Sequence, residues 1–185
     1  EVFTGHSAKQ VNSLFGRLSL SWKSAFFVDI TGRNDWSSTL PKATRSYFYP
    51  SIGGSTVLSE LFKLPNWMDF WKVRGSWALS KGDLDVYATN RTYSTELGVW
   101  EGLNTGTYPT NIFDGSIKPK TARTWEIGTM AWFLKNRLQL DVTYYNKYSY
   151  NQQINAEISP ASGFTSSLVN TNESYVRRGV EITVS

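Results

Sequence analysis

Two long runs of alternating side chains, joined by a tight turn, fill the stretch from Thr121 to Tyr150. On the first, Trp125, Ile127, Thr129, Ala131 and Phe133 share one face, and Thr124, Glu126, Gly128 and Met130 share the other. Leu134 to Arg137 makes the turn. On the return run, Leu138, Leu140, Val142 and Tyr144 alternate with Gln139, Asp141, Thr143 and Tyr145. A side-chain period of two assigns each set to its own face of a sheet. Globular strands average about 5–6 residues. Each of these runs reaches the roughly 9–11 that a tilted strand needs to cross the hydrocarbon of a bilayer. A chain carrying such a hairpin is directed towards an antiparallel sheet of membrane dimensions.

The same rhythm recurs. Val11 to Trp22 sets Leu14, Gly16, Leu18, Leu20 and Trp22 against Ser13, Phe15, Arg17, Ser19 and Ser21. After a minimal turn at Lys23-Ser24, Ala25 to Arg33 pairs with it as a hairpin. Asn34 to Ser46 reads as loop by composition. Tyr47 to Leu58 is a third strand, with a bend or bulge expected at Pro50 and Gly53-Gly54. Ser59 to Phe70 is a connection with a short helical turn before Pro65, and Trp71 to Ser80 is the fourth strand. The hairpin described first supplies the fifth and sixth, and Val176 to Val184 the seventh.

The connections alternate in length. Lys23-Ser24 and Leu134 to Arg137 are short. Asn34 to Ser46, Lys81 to Lys120 and Asn151 to Asn172 are long, and Ser59 to Phe70 is moderate. Short turns on one rim and long loops on the other mark outer-membrane barrels. Trp22, Trp71, Trp132 and Phe133 fall beside the short-turn rim, where an aromatic girdle is expected. A soluble β-sandwich alternates its faces too, so strand length and loop asymmetry favour the barrel. The rival is a soluble all-β module that binds carbohydrate through exposed aromatics.

Composition narrows the chemistry. There is no cysteine, which removes thiol catalysis, zinc-thiolate sites and disulfides. The net charge of +4 is spread along the chain, without the basic run of a nucleic-acid binder. Residue 1 is Glu, no signal peptide precedes it, and Val180 to Ser185 stops within a strand pattern. The chain is therefore expected to be a section of a longer protein.

Several motifs, in order, carry a family resemblance. Gly32-Arg33-Asn34-Asp35-Trp36-Ser37-Ser38, Tyr47-Phe48-Tyr49-Pro50-Ser51 and Trp71-Lys72-Val73-Arg74-Gly75-Ser76-Trp77 come first. Trp125-Glu126-Ile127-Gly128, Phe133 to Leu138, Tyr144-Tyr145-Asn146-Lys147 and Arg178-Gly179-Val180-Glu181 follow. Together they resemble the barrel of SusC/RagA-type TonB-dependent outer-membrane transporters. Trp36, Asn146 and Arg178 depart mildly from the family pattern, and Lys81 to Thr110 matches none of it.

The resemblance implies an all-β, antiparallel section, about seven strands of a transmembrane barrel of about 22. Residues 1–185 would be a partial barrel domain. The plug, the TonB-contacting segment and the barrel-closing strands would lie outside it. The implied function is transport rather than catalysis: uptake of oligosaccharides or other glycans, or of peptides. The implied partners are a SusD-like surface lipoprotein, the TonB-ExbB-ExbD system, and a Gram-negative outer membrane with its lipid bilayer and lipopolysaccharide. No cofactor, metal or nucleic acid is expected.

Candidate ligand contacts are the aromatics assigned to the long loops: Trp36, Trp100, Tyr108, Phe113 and Phe164. Flat rings suit sugars and the apolar parts of peptides; the competing reading is that the loops pack on one another. Arg17, Asp29, Arg33, Lys72, Arg74, Glu126 and Asp141 are assigned to the lumen face, where charges are expected to pair with each other or with a plug; the competing reading is that they line a substrate path. Asp83 and Asp85 form a D-x-D, one ingredient of a Ca²⁺ loop, without its other oxygen ligands. His6, the single histidine, is read as exposed.

Overall fold

The computed structural model describes residues 6–185, apart from the side chains of 97, 99 and 100. Twelve strands form in the order β1 (Val11–Trp22), β2 (Phe26–Ser37), β3 (Ser46–Val57), β4 (Met68–Gly82), β5 (Ser94–Trp100), β6 (Leu103–Thr107), β7 (Asn111–Phe113), β8 (Lys120–Phe133), β9 (Leu138–Tyr150), β10 (Gln153–Glu157), β11 (Ser166–Asn170) and β12 (Tyr175–Val184). Seven of them make one antiparallel sheet, in the order β1-β2-β3-β4-β8-β9-β12. These seven run from 10 to 15 residues.

Register sorts the sheet into two unlike faces, because directly opposed residues share a side. One row crosses Leu18, Ile30, Ile52, Trp77 and Trp125; another crosses Val73, Thr129, Val142 and Ile182. The other side carries rows such as Arg17, Thr31 and Ser51, and Arg74, Gly128 and Thr143. Among the described residues nothing packs on the apolar face: Leu18 is 52% exposed, Ile127 54% and Ile182 64%. In a water-soluble fold this side would be the core. One of its polar contacts is made within the sheet: Trp71 Nε1 donates to Thr129 Oγ1 at 2.9 Å.

The buried core lies elsewhere. Leu40, Tyr47, Leu84 and Ile117 pack together at one end of the sheet, with Tyr49 and Leu168 against them. This is the long-loop rim, where β4 meets β8 at Gly82–Lys120 and β8 meets β9 at Thr121–Tyr150. Phe133 and Leu138 pair at the opposite end. Both tight turns lie there, and both use left-handed backbone without glycine. Lys23 and Ser24 have φ of 50° and 52°; Leu134, Lys135 and Asn136 have 54°, 59° and 63°. Hydrogen bonds from Ala25 N to Trp22 O and from Arg137 N to Phe133 O, each 3.1 Å, close them.

Several boundaries differ from the sequence reading. β2 continues through Asn34-Asp35-Trp36-Ser37, which was expected to be loop, because β1 and β3 flank it as far as Val11–Ser37 and Trp36–Ser46. Pairing on both sides overrides a turn-like composition. The bend expected at Pro50 and Gly53-Gly54 is absent, since the β2–β3 register runs unbroken from Phe26–Thr56 to Trp36–Ser46. Pro50 sits instead where β3 parts from β4, whose pairing begins at Ser51–Ala78. The irregularity falls in β4, between Met68 and Phe70. A single 3-10 turn, Leu58–Glu60, precedes Pro65 as expected. Trp132 leaves the expected girdle: it pairs with Gln139 on the polar face and packs on Phe70 at 4.5 Å. Trp22, Trp71 and Phe133 keep to the apolar face.

The loops are structured. β5 and β6 form a hairpin. β7 adds in parallel to β11, which pairs antiparallel with β10. The stretches between β4 and β8 and between β9 and β12 are thereby joined above the same rim.

Candidate functional site

Ion pairs organise the polar wall. Arg17 Nη2 lies 2.7 Å from Asp29 Oδ1, which also accepts from Ser19 Oγ. Arg33 Nε meets Asp35 Oδ1 at 2.7 Å, and the second oxygen of Asp35 accepts from Tyr49 at 2.6 Å. Arg74 forks across Asp141, with Nη1 at 2.9 Å from Oδ2 and Nη2 at 2.7 Å from Oδ1, and also donates to Thr143. Five of the charges assigned to the lumen face thus pair within the wall. Lys72 and Glu126 share that face and form no ion pair among the described residues.

Arg74 reaches Asp141 by passing over Gly128. Gly128 lies between Arg74 on β4 and Thr143 on β9 in one row. A Cβ there would stand 3.0 Å from Arg74 Nε and 2.9 Å from Thr143 Oγ1. The glycine is the channel through which the guanidinium crosses a whole strand.

At the long-loop rim, the D-x-D does not present two free carboxylates. Asp83 is held by Lys9 Nζ at 2.7 Å and by Ser37 Oγ at 2.6 Å. Partial burial pushes its pKa up, but the hydrogen bonds from Lys9 and Ser37 and the Lys9 charge outweigh it, and the carboxyl lies below the usual range. This clasp is therefore intact above the ordinary aspartate pKa and is lost as pH falls through the depressed value. Among the described residues no group of three or more His, Asp or Glu gathers as a cation site. His6 is exposed.

Three of the five candidate aromatics come together. The Tyr108 ring lies 5.5 Å from Tyr93, edge-on, and 5.8 Å from Phe164. Arg91 stands over Phe113 at 5.9 Å and over Phe164 at 6.0 Å. Arg91 and Tyr93 are not among the candidate contacts, although Tyr93 is an aromatic of the same long loop. Trp100 ends β5, and its side chain lies outside the described residues. Trp36 is not on a loop: it is the penultimate residue of β2, on the apolar face and 39% exposed. Beside the cluster is an open cleft of about 490 Å³ that includes Tyr87, Asn90, Asn111, Phe113, Gln152 and Asn155.

An open antiparallel sheet with one naked apolar side, one polar ion-paired side and loops gathered at a single rim is a section of a transmembrane β-barrel. The chain belongs to the TonB-dependent receptor-like β-barrel family, whose model matches residues 2–185. It is 28% identical over 97% of its length to TonB-dependent receptor P26 of Formosa agariphila, and 25% identical over 94% to TonB-dependent receptor P3 of the same organism. It spans 18% of the length of each of these curated relatives. Its fold superposes on the RagAB peptide importer with a TM-score of 0.84, at 21% identity, covering 94% of this chain and 19% of that one. On the siderophore receptor PirA from Pseudomonas aeruginosa the score is 0.62, at 15% identity, covering 94% and 30%. At such identities the likeness is one of fold. A soluble carbohydrate-binding module is ruled out by the family.

Proposed function

We propose that this chain is part of the wall of a TonB-dependent outer-membrane importer of large nutrients, oligosaccharides or peptides, acting with a SusD-like surface lipoprotein. One observation supports this most: the register places every long apolar row on the uncovered side and the ion pairs on the other. The apolar side faces lipid, with lipopolysaccharide at the long-loop rim, and the polar side encloses a plug and the substrate path. Energy arrives from TonB-ExbB-ExbD through parts of the receptor beyond these residues. The RagAB likeness favours peptides as one substrate class. Tyr108, Phe113, Phe164 and Trp100 are ligand contacts in this reading, whereas Trp36 serves the outer surface.

Deleting the full-length receptor, or only its TonB-contacting segment, is expected to abolish growth on at least one glycan or peptide in a panel of sole carbon sources. Unchanged growth on every member of a broad panel would sink the reading. Orientation has its own test. A cysteine at Thr105, in β6, is expected to react with an impermeant maleimide on intact cells, and one at Asn136, in the short turn, only after lysis. Equal labelling would reverse or remove the proposed topology.

A further inference from the structure

Just below the long-loop rim, two cations of the polar wall stand directly opposite each other. Lys147 on β9 and Arg177 on β12 are direct partners in the antiparallel register. Like charges set opposite each other destabilise a sheet. Elsewhere on this wall, Arg17, Arg33 and Arg74 each have an aspartate. Here neither cation forms an ion pair among the described residues. The carboxylates facing the same side from neighbouring strands are Glu126, opposite Tyr145, and Glu181, opposite Thr143. Both lie in other rows, and neither pairs with these cations.

A third cation shares a hollow with Lys147. Lys120 opens β8 opposite Gly82, and its stem lies across that glycine: a Cβ at Gly82 would stand 2.6 Å from Lys120 Cε. Lys120 and Lys147 line a hollow of about 320 Å³ together with Ser80, Ser149, Gln152 and Tyr175. The Arg177 guanidinium stands over the Tyr175 ring at 5.6 Å. Above the hollow, the amide-lined cleft shares Lys120 and Gln152 with it. Hydrogen-bonding side chains thus border Lys120 and Lys147, and Arg177 stands opposite Lys147.

We propose that Lys120, Lys147 and Arg177 form an anion-binding station on the inner wall, and that the nutrient carried past it bears carboxylate groups. Unpaired cations set beside one another are stabilised by a counter-charge that arrives with the ligand. The amides and hydroxyls around them suit the hydroxyls of a sugar or the backbone of a peptide. This deepens the import reading and rests on it.

The test uses the full-length receptor in detergent and two matched pairs of probes. The first pair is tetragalacturonate and its methyl ester; the second is a glutamate tetrapeptide and its glutamine counterpart. At low salt, one acidic member is expected to bind about tenfold more tightly than its neutral match, a difference of about 1.4 kcal/mol. Which pair shows the effect identifies sugar or peptide as the source of the anion. The preference is expected to shrink with added salt and to vanish in the double variant Lys147→Gln, Arg177→Gln. Because that variant also removes a like-charge pair, its thermal stability should equal or exceed that of the parent.

Equal binding of acidic and neutral members, or binding of none of the four, overturns the proposal. So does a double variant that loses stability while keeping the acidic preference, because the cations would then be partnered within the receptor. The growth panel separates this failure from failure of the import reading. A receptor that is required for growth on neutral nutrients alone remains an importer without an anion station.

Discussion

Gly128→Val is expected to be among the most damaging single changes in the sheet, costing about 2–4 kcal/mol of unfolding free energy. Two effects add. The new side chain enters space already occupied by Arg74 Nε and Thr143 Oγ1, with Val142 O at 3.2 Å as an immovable backbone neighbour. It also bars Arg74 from Asp141, leaving a carboxylate with 25% of its side chain exposed to find another partner. Arg74 is itself 39% exposed, so water recovers part of the loss, and the estimate stays below that for a fully buried pair. Gly16→Val is the control, because nothing lies within 4 Å of a Cβ at that position; its effect should stay near zero. A cycle with Arg74→Met tests the mechanism. If the glycine acts by letting Arg74 cross, the two changes together should cost clearly less than their sum. Urea unfolding of the full-length receptor in lipid vesicles reads all four proteins. Strict additivity would mean that Gly128 matters for reasons unconnected with the ion pair.

This glycine also marks the limit of what alternation reveals. The faces of β8 and β9 are legible from Trp125, Ile127, Leu140 and Val142, because a period of two survives any register. Which residue stands opposite which is not legible, since register depends on pairing between strands far apart in sequence. Gly128 in a strand signals only close approach of something, and Arg74 lies on another strand. Asn34 to Ser37 departs from expectation for the same reason: local composition favours a turn, while β1 and β3 supply partners on both sides. The turns at Lys23 and Leu134 were found by spacing even though their left-handed residues include no glycine. In the loops, Tyr108, Phe113 and Phe164 were visible as aromatics on long connections. Their meeting depends on the parallel pairing of β7 with β11, three residue pairs long, too short for any periodic signal. Tyr93 carries the same signal, an aromatic on a long connection, whereas nothing in the sequence ties Arg91 to those rings. The like-charged pair Lys147 and Arg177 is likewise a product of register.

Arginine placed along the outer row of β9 is expected to cost more the further it lies from the short turn. Leu138 is the first residue after that turn and pairs with Phe133, so its level is the interface. Val142 is opposed by Thr129 on one side and Ile182 on the other, in a row whose Ile182 is 64% exposed. Four residues of strand at roughly 3.3 Å each and 45° tilt place it on the order of 9 Å deeper. A cation in lipid costs about 2–4 kcal/mol near the midplane and about 0–1 near the interface. Val142→Arg should therefore approach the upper range, and Leu138→Arg should be nearly silent. Thr143 points to the polar wall, so Thr143→Val should instead track the loss of its hydrogen bond with Arg74 Nη2, now 2.6 Å, at about 1–3 kcal/mol. Folding of the full-length receptor into vesicles of two bilayer thicknesses gives a further handle. Thickening the bilayer should raise the penalty at Leu138, by drawing the interface outward, and leave Thr143 unchanged. A water-filled environment on the apolar side predicts no depth gradient and no response to thickness. If Leu138→Arg costs as much as Val142→Arg in both bilayers, the naked face of this sheet does not meet lipid.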